Sequence, residues 1–496
     1  MSLSAAFDAA GVLWCERAPV GGEHRRVTSI STDTRELERG ALFVGLEGPN
    51  FDGASFAQRA VEAGATSVLA RDGDATRAAL ARLAAEHGVA VGTVPSGRAA
   101  LAGIARLVRS RIQAPVVGIT GSVGKTSTKD ALRTLGEAAG VRVAASRASF
   151  NNDVGVPRTL FAVDPRDELV VVEIGTNAPG EIASLAGVAS PTVAVLTRVG
   201  RSHLEGLGSL KGVAQEKGAL FESLAGVPGA VCVLGHDTPL RERIVARVPH
   251  GARLVTVSVD GDPTASLIAR NVRSDGDGTR FEVGGDAAGA LSGHELRVPL
   301  LGRHAVLNVL LALAALDAAG FAPEASLDGL ERLEPAAHRL AARRVGGVTV
   351  IDDAYNANPD SFRAAVRVLA DQDGPRTLVA GPMGELGDDA ERLHAELGLD
   401  VVAAGIERAV LVDPDGAPVD VRLDALERAL GATVEVVRAA SVDEAADAAA
   451  AARRGTILVK ASRAARLERV VDGLHERFAQ VHGASAAHAG AGGAGA

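Results

Sequence analysis

The chain has 496 residues, enough for about three domains at roughly 100 to 200 residues each. With 47% apolar and 23% charged residues it has an ordinary globular composition, which excludes wholesale disorder and leaves material for a sizeable core. A net charge of −9 without a basic cluster excludes nucleic acid as the main partner, because phosphate neutralisation needs a basic face.

Cys15 and Cys232 are far apart and form no metal-type spacing, so neither a disulfide framework nor a zinc ribbon is expected. The first residues carry Asp8 and Glu16 and no basic segment leading into an apolar run, unlike a signal peptide. The most apolar stretch, 306–319, contains Asn308 and Asp317 and is too short to span a bilayer. A cytoplasmic protein without a membrane span is expected. Of 52 lysines and arginines only five are lysine: Lys125, Lys129, Lys211, Lys217 and Lys460. Arginine stands at the rest, so the lysines are candidates for places where a planar, permanently charged guanidinium fails.

In chain order, short β-like runs at 27–30, 41–46, 67–70 and 89–94 alternate with alanine-rich helical stretches and predict a small α/β domain over 1–112. A helical stretch at 97–111 ends before Pro115, a boundary because the residue before proline is biased away from helix. Buried-strand candidates at 116–120, 169–174, 192–197 and 230–234 then alternate with helices, the signature of a mostly parallel sheet covered on both faces. Residues 250–300 read as an antiparallel extension, and a helix at 304–320 closes a central unit spanning 113–334. Runs at 348–351, 377–380, 409–412, 433–437 and 456–459 predict a second, doubly wound, Rossmann-like sheet over 335–482. The Gly, Ala, Ser and His tail, 483–496, is expected to be disordered.

The strongest chemical signal is Gly118-Ile119-Thr120-Gly121-Ser122-Val123-Gly124-Lys125-Thr126-Ser127, where a buried strand meets a helix. Glycines let the backbone fold around phosphates, the helix N-terminus attracts the anion, Lys125 reaches the terminal phosphates and the Thr126 hydroxyl can ligate Mg²⁺. The first glycine lies six residues before Gly124, one more than the strict P-loop spacing. By itself such a loop specifies an NTPase or a kinase-like protein. Glu173 ends the apolar run 170–172 at the edge where open α/β sheets collect ligands, a candidate second Mg²⁺ ligand. His203 follows the next strand and could approach the same metal, and Lys217 lies in a polar helical stretch.

Together these segments resemble the ATP-dependent Mur ligases of peptidoglycan synthesis. The resemblance is carried by the loop 120–127, Glu173, His203-Leu204-Glu205-Gly206, Lys217 and Arg339. Further segments narrow it within the family: Asp352-Asp353-Ala354-Tyr355-Asn356-Ala357-Asn358-Pro359-Asp360-Ser361, Met383-Gly384-Glu385-Leu386-Gly387 with His394, and Lys460-Ala461-Ser462-Arg463. In the first domain, Ser31-Thr32-Asp33-Thr34-Arg35, 40–44 and Phe51-Asp52-Gly53 also match. The sequence departs from the family at Ala54, Pro382 and Ala461, where histidine, aspartate and glycine are usual.

The resemblance implies three domains and an amide ligase adding D-alanyl-D-alanine to UDP-N-acetylmuramoyl-tripeptide through an acyl phosphate, with ADP and phosphate released. ATP would meet Gly121, Ser122, Val123, Gly124, Lys125, Thr126, Ser127, Asn308 at the adenine, Asp353 at the ribose and Arg339 at the terminal phosphate. The UDP-sugar substrate would meet Ser31, Thr34, Arg35, Asp52, Gly53, Asn151 and Asn152, with Tyr355, Asn356 and Asn358 lining the cleft. Thr126, Glu173, His203 and Lys217 would hold one or two Mg²⁺ ions, Lys217 as a carbamate, while Lys125, Lys217, His203 and Arg339 serve catalysis. The enzyme would act as a monomer. A sister Mur or folylpolyglutamate-type ligase, a P-loop kinase or switch GTPase, and a non-catalytic regulatory homologue remain the alternatives.

Overall fold

Among the described residues three large sheets form, one for each stretch of alternating runs, and Glu47–Gly48 pairs with Phe51–Asp52 in a small two-stranded sheet of its own. The structure, a computed structural model, describes residues 1–16, 26–48, 51–275, 277–413 and 420–491.

The first sheet has the spatial order Trp14–Glu16, Ala90–Val94, Ser67–Arg71, Leu42–Val44, Ile30–Ser31, parallel except for the first strand. The strand expected at 27–30 shortens to Ile30–Ser31, because Val27 donates its N–H to the Met1 carbonyl. Helix Gly97–Arg109 follows, its N-terminus held by Glu47, which accepts from the Ser96 hydroxyl and the Gly97 N–H.

The central sheet has nine strands among the described residues. Their order is Glu295–Val298, Gly278–Gly284, Leu267–Asp275, Arg253–Ser258, Val231–Gly235, Val193–Leu196, Val116–Thr120, Leu169–Glu173, Val143–Ala145. Residues 250–300 were expected to extend it in antiparallel fashion, and this holds only for the last two strands in sequence. Arg253–Ser258 and Leu267–Asp275 join parallel, the former after a crossover through helix Arg241–Val245. Val116–Thr120 is a continuous apolar run because it is buried on both faces, under helices Lys125–Ala138 and Leu210–Glu222.

The third sheet runs Ala341–Val345, Val348–Asp353, Gly455–Lys460, Arg376–Ala380, Arg408–Val412, Glu435–Ala439, parallel after the opening hairpin. An apolar cluster containing Val172, Leu196, Val199 and Leu204 of the central unit continues into Phe362, Met383, Leu386 and Leu411 of the third, so these two units are packed together. The last helix runs Glu468–Ala491 where an unstructured tail was expected from 483, in keeping with the high helix propensity of its alanines. Residues 492–496 of that expected tail lie outside the described residues. No helix among the described residues is long and apolar enough to cross a membrane.

Candidate active site

Val116–Thr120 is the first strand of the central sheet in sequence, yet it lies inside it, between Leu169–Glu173 and Val193–Leu196. The loops after these three parallel strands therefore open side by side on the carboxyl edge, where open α/β sheets bind ligands. The sequence placed the glycine-rich loop, Glu173 and His203 on those same three loops.

In the glycine-rich loop Lys125 opens the helix Lys125–Ala138 and folds back, its Nζ 2.7 Å from the Gly121 carbonyl. Gly124 is at φ 85°, and a β-carbon there would lie 2.4 Å from Asn308 Oδ1. That approach explains the glycine. It also locates Asn308: buried against the loop and accepting from the Thr128 hydroxyl at 3.3 Å, where adenine contact was expected. Ser122 exchanges hydrogen bonds with Gly200, and Thr197 donates to the Val123 carbonyl, so the third loop grips the first. Ser127 stands in the first turn of the same helix.

Glu173 is 1% exposed and shared: Oε2 accepts from Thr126 Oγ1 at 2.9 Å, and Oε1 from Asn151 Nδ2 at 2.8 Å. Asn152 lies next to it and accepts from the Val154 and Gly155 N–H groups at the start of helix Gly155–Phe161. Burial pushes the Lys125 ammonium below the ordinary lysine range, opposed by Glu173 and reinforced by Arg339 of the third unit. Arg339 thus stands within electrostatic reach of the loop, stacked over the Tyr355 ring at 4.4 Å, and the Tyr355 hydroxyl donates to Ser149 Oγ across the interface at 2.8 Å.

Lys217 is fully buried and its Nζ has no hydrogen-bond partner among the described residues. Burial first, and Lys125 second, push its pKa well below the ordinary value, although Glu216 opposes this. Glu216 is occupied elsewhere, accepting from the Gly180 and Ile182 N–H groups at 2.7 Å each.

The remaining expected residues divide. His203 is in the left-handed region at φ 54° and faces the third unit, with Nδ1 2.6 Å from Glu385 Oε2 and no hydrogen-bond alignment. Among the described residues no hydrogen bond or ion pair ties it to Thr126 or Glu173. Asp353 does not present a free carboxylate for a ribose: Lys460 Nζ is 2.6 Å from Oδ2 and the Leu340 N–H is 3.2 Å from Oδ1. Asn358 is likewise engaged, capping helix Pro359–Ala370 reciprocally with Ser361. Asn356 is exposed, its Oδ1 accepting from Ala357 N–H. In the first unit the Ser31 hydroxyl donates to the Asp33 carbonyl, Thr34 is half-buried beside it, and Arg35 pairs with Asp33 at 2.6 Å. Asp52 caps the turn at Gly53, where a β-carbon would lie 2.3 Å from Leu46 N. Ion pairs Arg158–Glu36 and Arg98–Asp153, both 2.7 Å, fasten this unit to the central one.

Several contributors were missed. Asp352 accepts from Ala354 N–H and meets His338 Nδ1 at 2.7 Å, and Asp353 accepts from Leu340 N–H, so the two aspartates fix both neighbours of Arg339. His338 and Leu340 are both at positive φ, 58° and 51°. The resemblance marked Arg339, but no sequence signal marked its two neighbours, whereas scarcity among the basic residues did mark Lys129, which is buried.

No cluster of three His, Cys, Asp or Glu side chains that could cage a metal occurs among the described residues. The Thr126 hydroxyl with Glu173 still fits Mg²⁺, which prefers one or two protein oxygens completed by phosphate and water. The unpartnered Lys217 Nζ fits conversion to an anionic ligand.

The Mur ligase middle domain matches residues 119–316, the Mur ligase glutamate ligase domain 338–463, and the Mur ligase family catalytic domain 26–109. The UDP-N-acetylmuramoyl-tripeptide--D-alanyl-D-alanine ligase of Escherichia coli (strain K12) is 33% identical over 449 residues, 90% of this chain and 94% of that protein. The chain belongs to the Mur ligase family. The ligase of the same name from Bacillus subtilis (strain 168) is 32% identical, with 92% and 94% covered. MurF from Acinetobacter baumannii superimposes with a TM-score of 0.82 at 25% identity, covering 96% of this chain and 98% of that one. As a Mur ligase the protein is an ATP-dependent ligase, and the three sheets are the three-domain architecture of that family.

Proposed function

We propose that this Mur ligase joins the terminal carboxyl of UDP-N-acetylmuramoyl-tripeptide to the amine of D-alanyl-D-alanine, in the peptidoglycan pathway, with ATP giving ADP and phosphate. The observation that carries the reading is the Thr126–Glu173 contact beside Lys125 in the central unit, faced by Arg339 of the third on Tyr355, whose hydroxyl reaches Ser149, in a chain whose relative over 90% of its length bears that name. A carboxylate is a poor acyl donor at neutral pH. Transfer of the γ-phosphoryl group to it gives an acyl phosphate, the amine then attacks the carbonyl carbon, and phosphate leaves. Lys125 and Arg339 neutralise the oxygens of the transferring group, which is largely positioning and electrostatics.

Thr126 and Glu173 would hold Mg²⁺, which when bound would neutralise phosphate oxygens, with His203 and a carbamate of Lys217 as further ligands at a second ion. Ser31, Thr34 and Arg35, at the carboxyl end of the parallel strand Ile30–Ser31, and the Asp52–Gly53 turn would receive the uridine nucleotide. Asn151 and Asn152 would face its muramoyl part, and Tyr355 and Asn356 the peptide side. The domain division 1–112, 113–334 and 335–482, a monomeric state and a cytoplasmic setting belong to the same reading. ADP release that requires both UDP-N-acetylmuramoyl-tripeptide and D-alanyl-D-alanine is the expected result. Release that depends on a single amino acid instead of the dipeptide would assign a sister ligase, and none with either amine would overturn the reading.

A further inference from the structure

One turn behind Lys125 the same helix carries a lysine that phosphate chemistry does not need. Lys129 is 2% exposed, and its ammonium meets three acceptors: the Ser146 carbonyl and the Ala148 carbonyl at 2.9 Å each, and Asp130 Oδ1 at 3.1 Å. Three donors and three acceptors make a satisfied buried cation. Two of the acceptors are main-chain carbonyls of another segment, 146–152, which enters the site from strand Val143–Ala145. Ala148 sits there at φ 45°, a backbone state that a non-glycine residue holds only when its surroundings impose it.

What that segment touches gives the lysine its meaning. The Ser146 hydroxyl accepts from the Glu173 N–H at 3.1 Å. Ser149 Oγ accepts from the Tyr355 hydroxyl of the third unit, and Asn151 donates to the Glu173 carboxylate. Seven residues thus reach the metal-side carboxylate, the third unit and, on the functional reading above, the muramoyl-peptide. Lys129 ties them directly to the helix that begins with Lys125 and Thr126.

We propose that Lys129 is a positioning residue for the acceptor substrate, holding segment 146–152 in register with the phosphate loop so that the peptide carboxylate meets the γ-phosphate. The inference rests on the reading of Asn151 and Asn152 as facing that substrate. A compact ammonium on a flexible stem can bind two carbonyls two residues apart and a carboxylate at once, while a rigid planar guanidinium cannot take the same place. Lysine therefore stands at this buried position in a chain where arginine far outnumbers lysine.

The test uses the full chain and two separate titrations, one with UDP-N-acetylmuramoyl-tripeptide and one with a non-hydrolysable ATP analogue. In Lys129→Met the Kd and KM for the nucleotide-peptide rise by about tenfold or more, because two buried carbonyls lose their donor and the segment relaxes. Kd for the ATP analogue stays within about twofold, a split that a merely structural role would not produce. Lys129→Gln, which keeps one donor, falls between the two, and Lys129→Arg does not rescue. Unchanged nucleotide-peptide affinity, or parallel loss of both affinities, overturns the proposal, as does failure of both Met and Gln variants to fold. Wild-type protein that does not bind the nucleotide-peptide overturns the functional reading and this inference with it. Wild-type binding matched by Lys129→Met overturns the inference alone.

Discussion

Lys217 has no acceptor for its ammonium among the described residues, and a charge buried without a partner is the form that folding disfavours. Burial and the neighbouring Lys125 both push the amine toward neutrality. A neutral amine can attack carbon dioxide, losing a proton as the N–C bond forms, and the product carries the anionic oxygens a metal site needs. Lys217→Arg keeps a charge and cannot form that carbamate, so turnover is expected to fall by about a hundredfold or more, the scale of losing one group that stabilises transition-state charge. Isotope-labelled bicarbonate should give a carbamate signal in the wild type that Lys217→Met lacks. Full activity in Lys217→Arg would remove the carbamate from the account. Scarcity proved informative for the lysines as a set: Lys129, Lys217 and Lys460 are buried, Lys125 is desolvated in the loop, and of the five only Lys211 is exposed.

At the scale of elements, the third unit's opening strand and the helix after it are organised by the segment 352–361. Asp353 and Lys460 end adjacent parallel strands in register, and their ion pair at 2.6 Å is nearly dry. Asp353→Ala leaves Lys460 uncompensated and is expected to cost about 3–5 kcal/mol of stability, the usual result of breaking a buried pair from one side. Denaturant unfolding checks it, and a loss confined to the KM for ATP would instead favour a ribose contact. Asn358→Ala removes a capping box and should cost about 1 kcal/mol with substrate KM values unchanged, Asn358→Ser recovering most of it. A raised KM without lost stability would return Asn358 to the cleft. Asn-Pro-Asp-Ser is a helix-start signature, with proline at the first helical position, so this cap was legible, and the substrate role suggested by resemblance obscured it. Buried parallel strands were legible because burial on both faces leaves uninterrupted apolar runs. Trp14–Glu16, Val143–Ala145 and Ala341–Val345 were not, because these edge strands have few or no buried side chains and so no apolar signature. The P-loop was legible as a motif and Glu173 as a carboxylate ending an apolar strand, whereas Lys217 was marked by the scarcity of lysine and given a role only by the family resemblance. Arg339 was named by the resemblance, but the conformation of His338 and Leu340 on either side of it was not legible, because it is imposed by two aspartates more than ten residues away.

Across the whole molecule, the third unit rests on the central one at a point where the phosphate loop is also held. Gly200 exchanges hydrogen bonds with Ser122 of that loop, and the N–H of Arg201 donates to Asp360 Oδ2 of the third unit at 2.6 Å. Arg201 also pairs with Glu396 at 2.7 Å, but both side chains are a third exposed, and pairs of that kind contribute only about 0–1 kcal/mol. Close packing at Gly200 is the more sensitive feature. A β-carbon there would lie 2.6 Å from Asp360 Oδ2 and 3.3 Å from Ser122 Cβ, wedged between the third unit and the phosphate loop. Gly200→Ala is therefore expected to lower kcat by about tenfold, in line with the roughly 1–3 kcal/mol that overpacking costs, and to increase the radius of gyration measured by X-ray scattering. Asp360→Ala alone loses the hydrogen bond to Arg201, yet it vacates the space that the new methyl group needs. If the wedge is the cause, the double variant Gly200→Ala/Asp360→Ala is more active than the product of the two single losses predicts, because neighbouring sites that share one steric conflict are not additive. Strict additivity, or a Gly200→Ala protein with unchanged scattering and turnover, would mean that docking of the third unit does not pass through this contact.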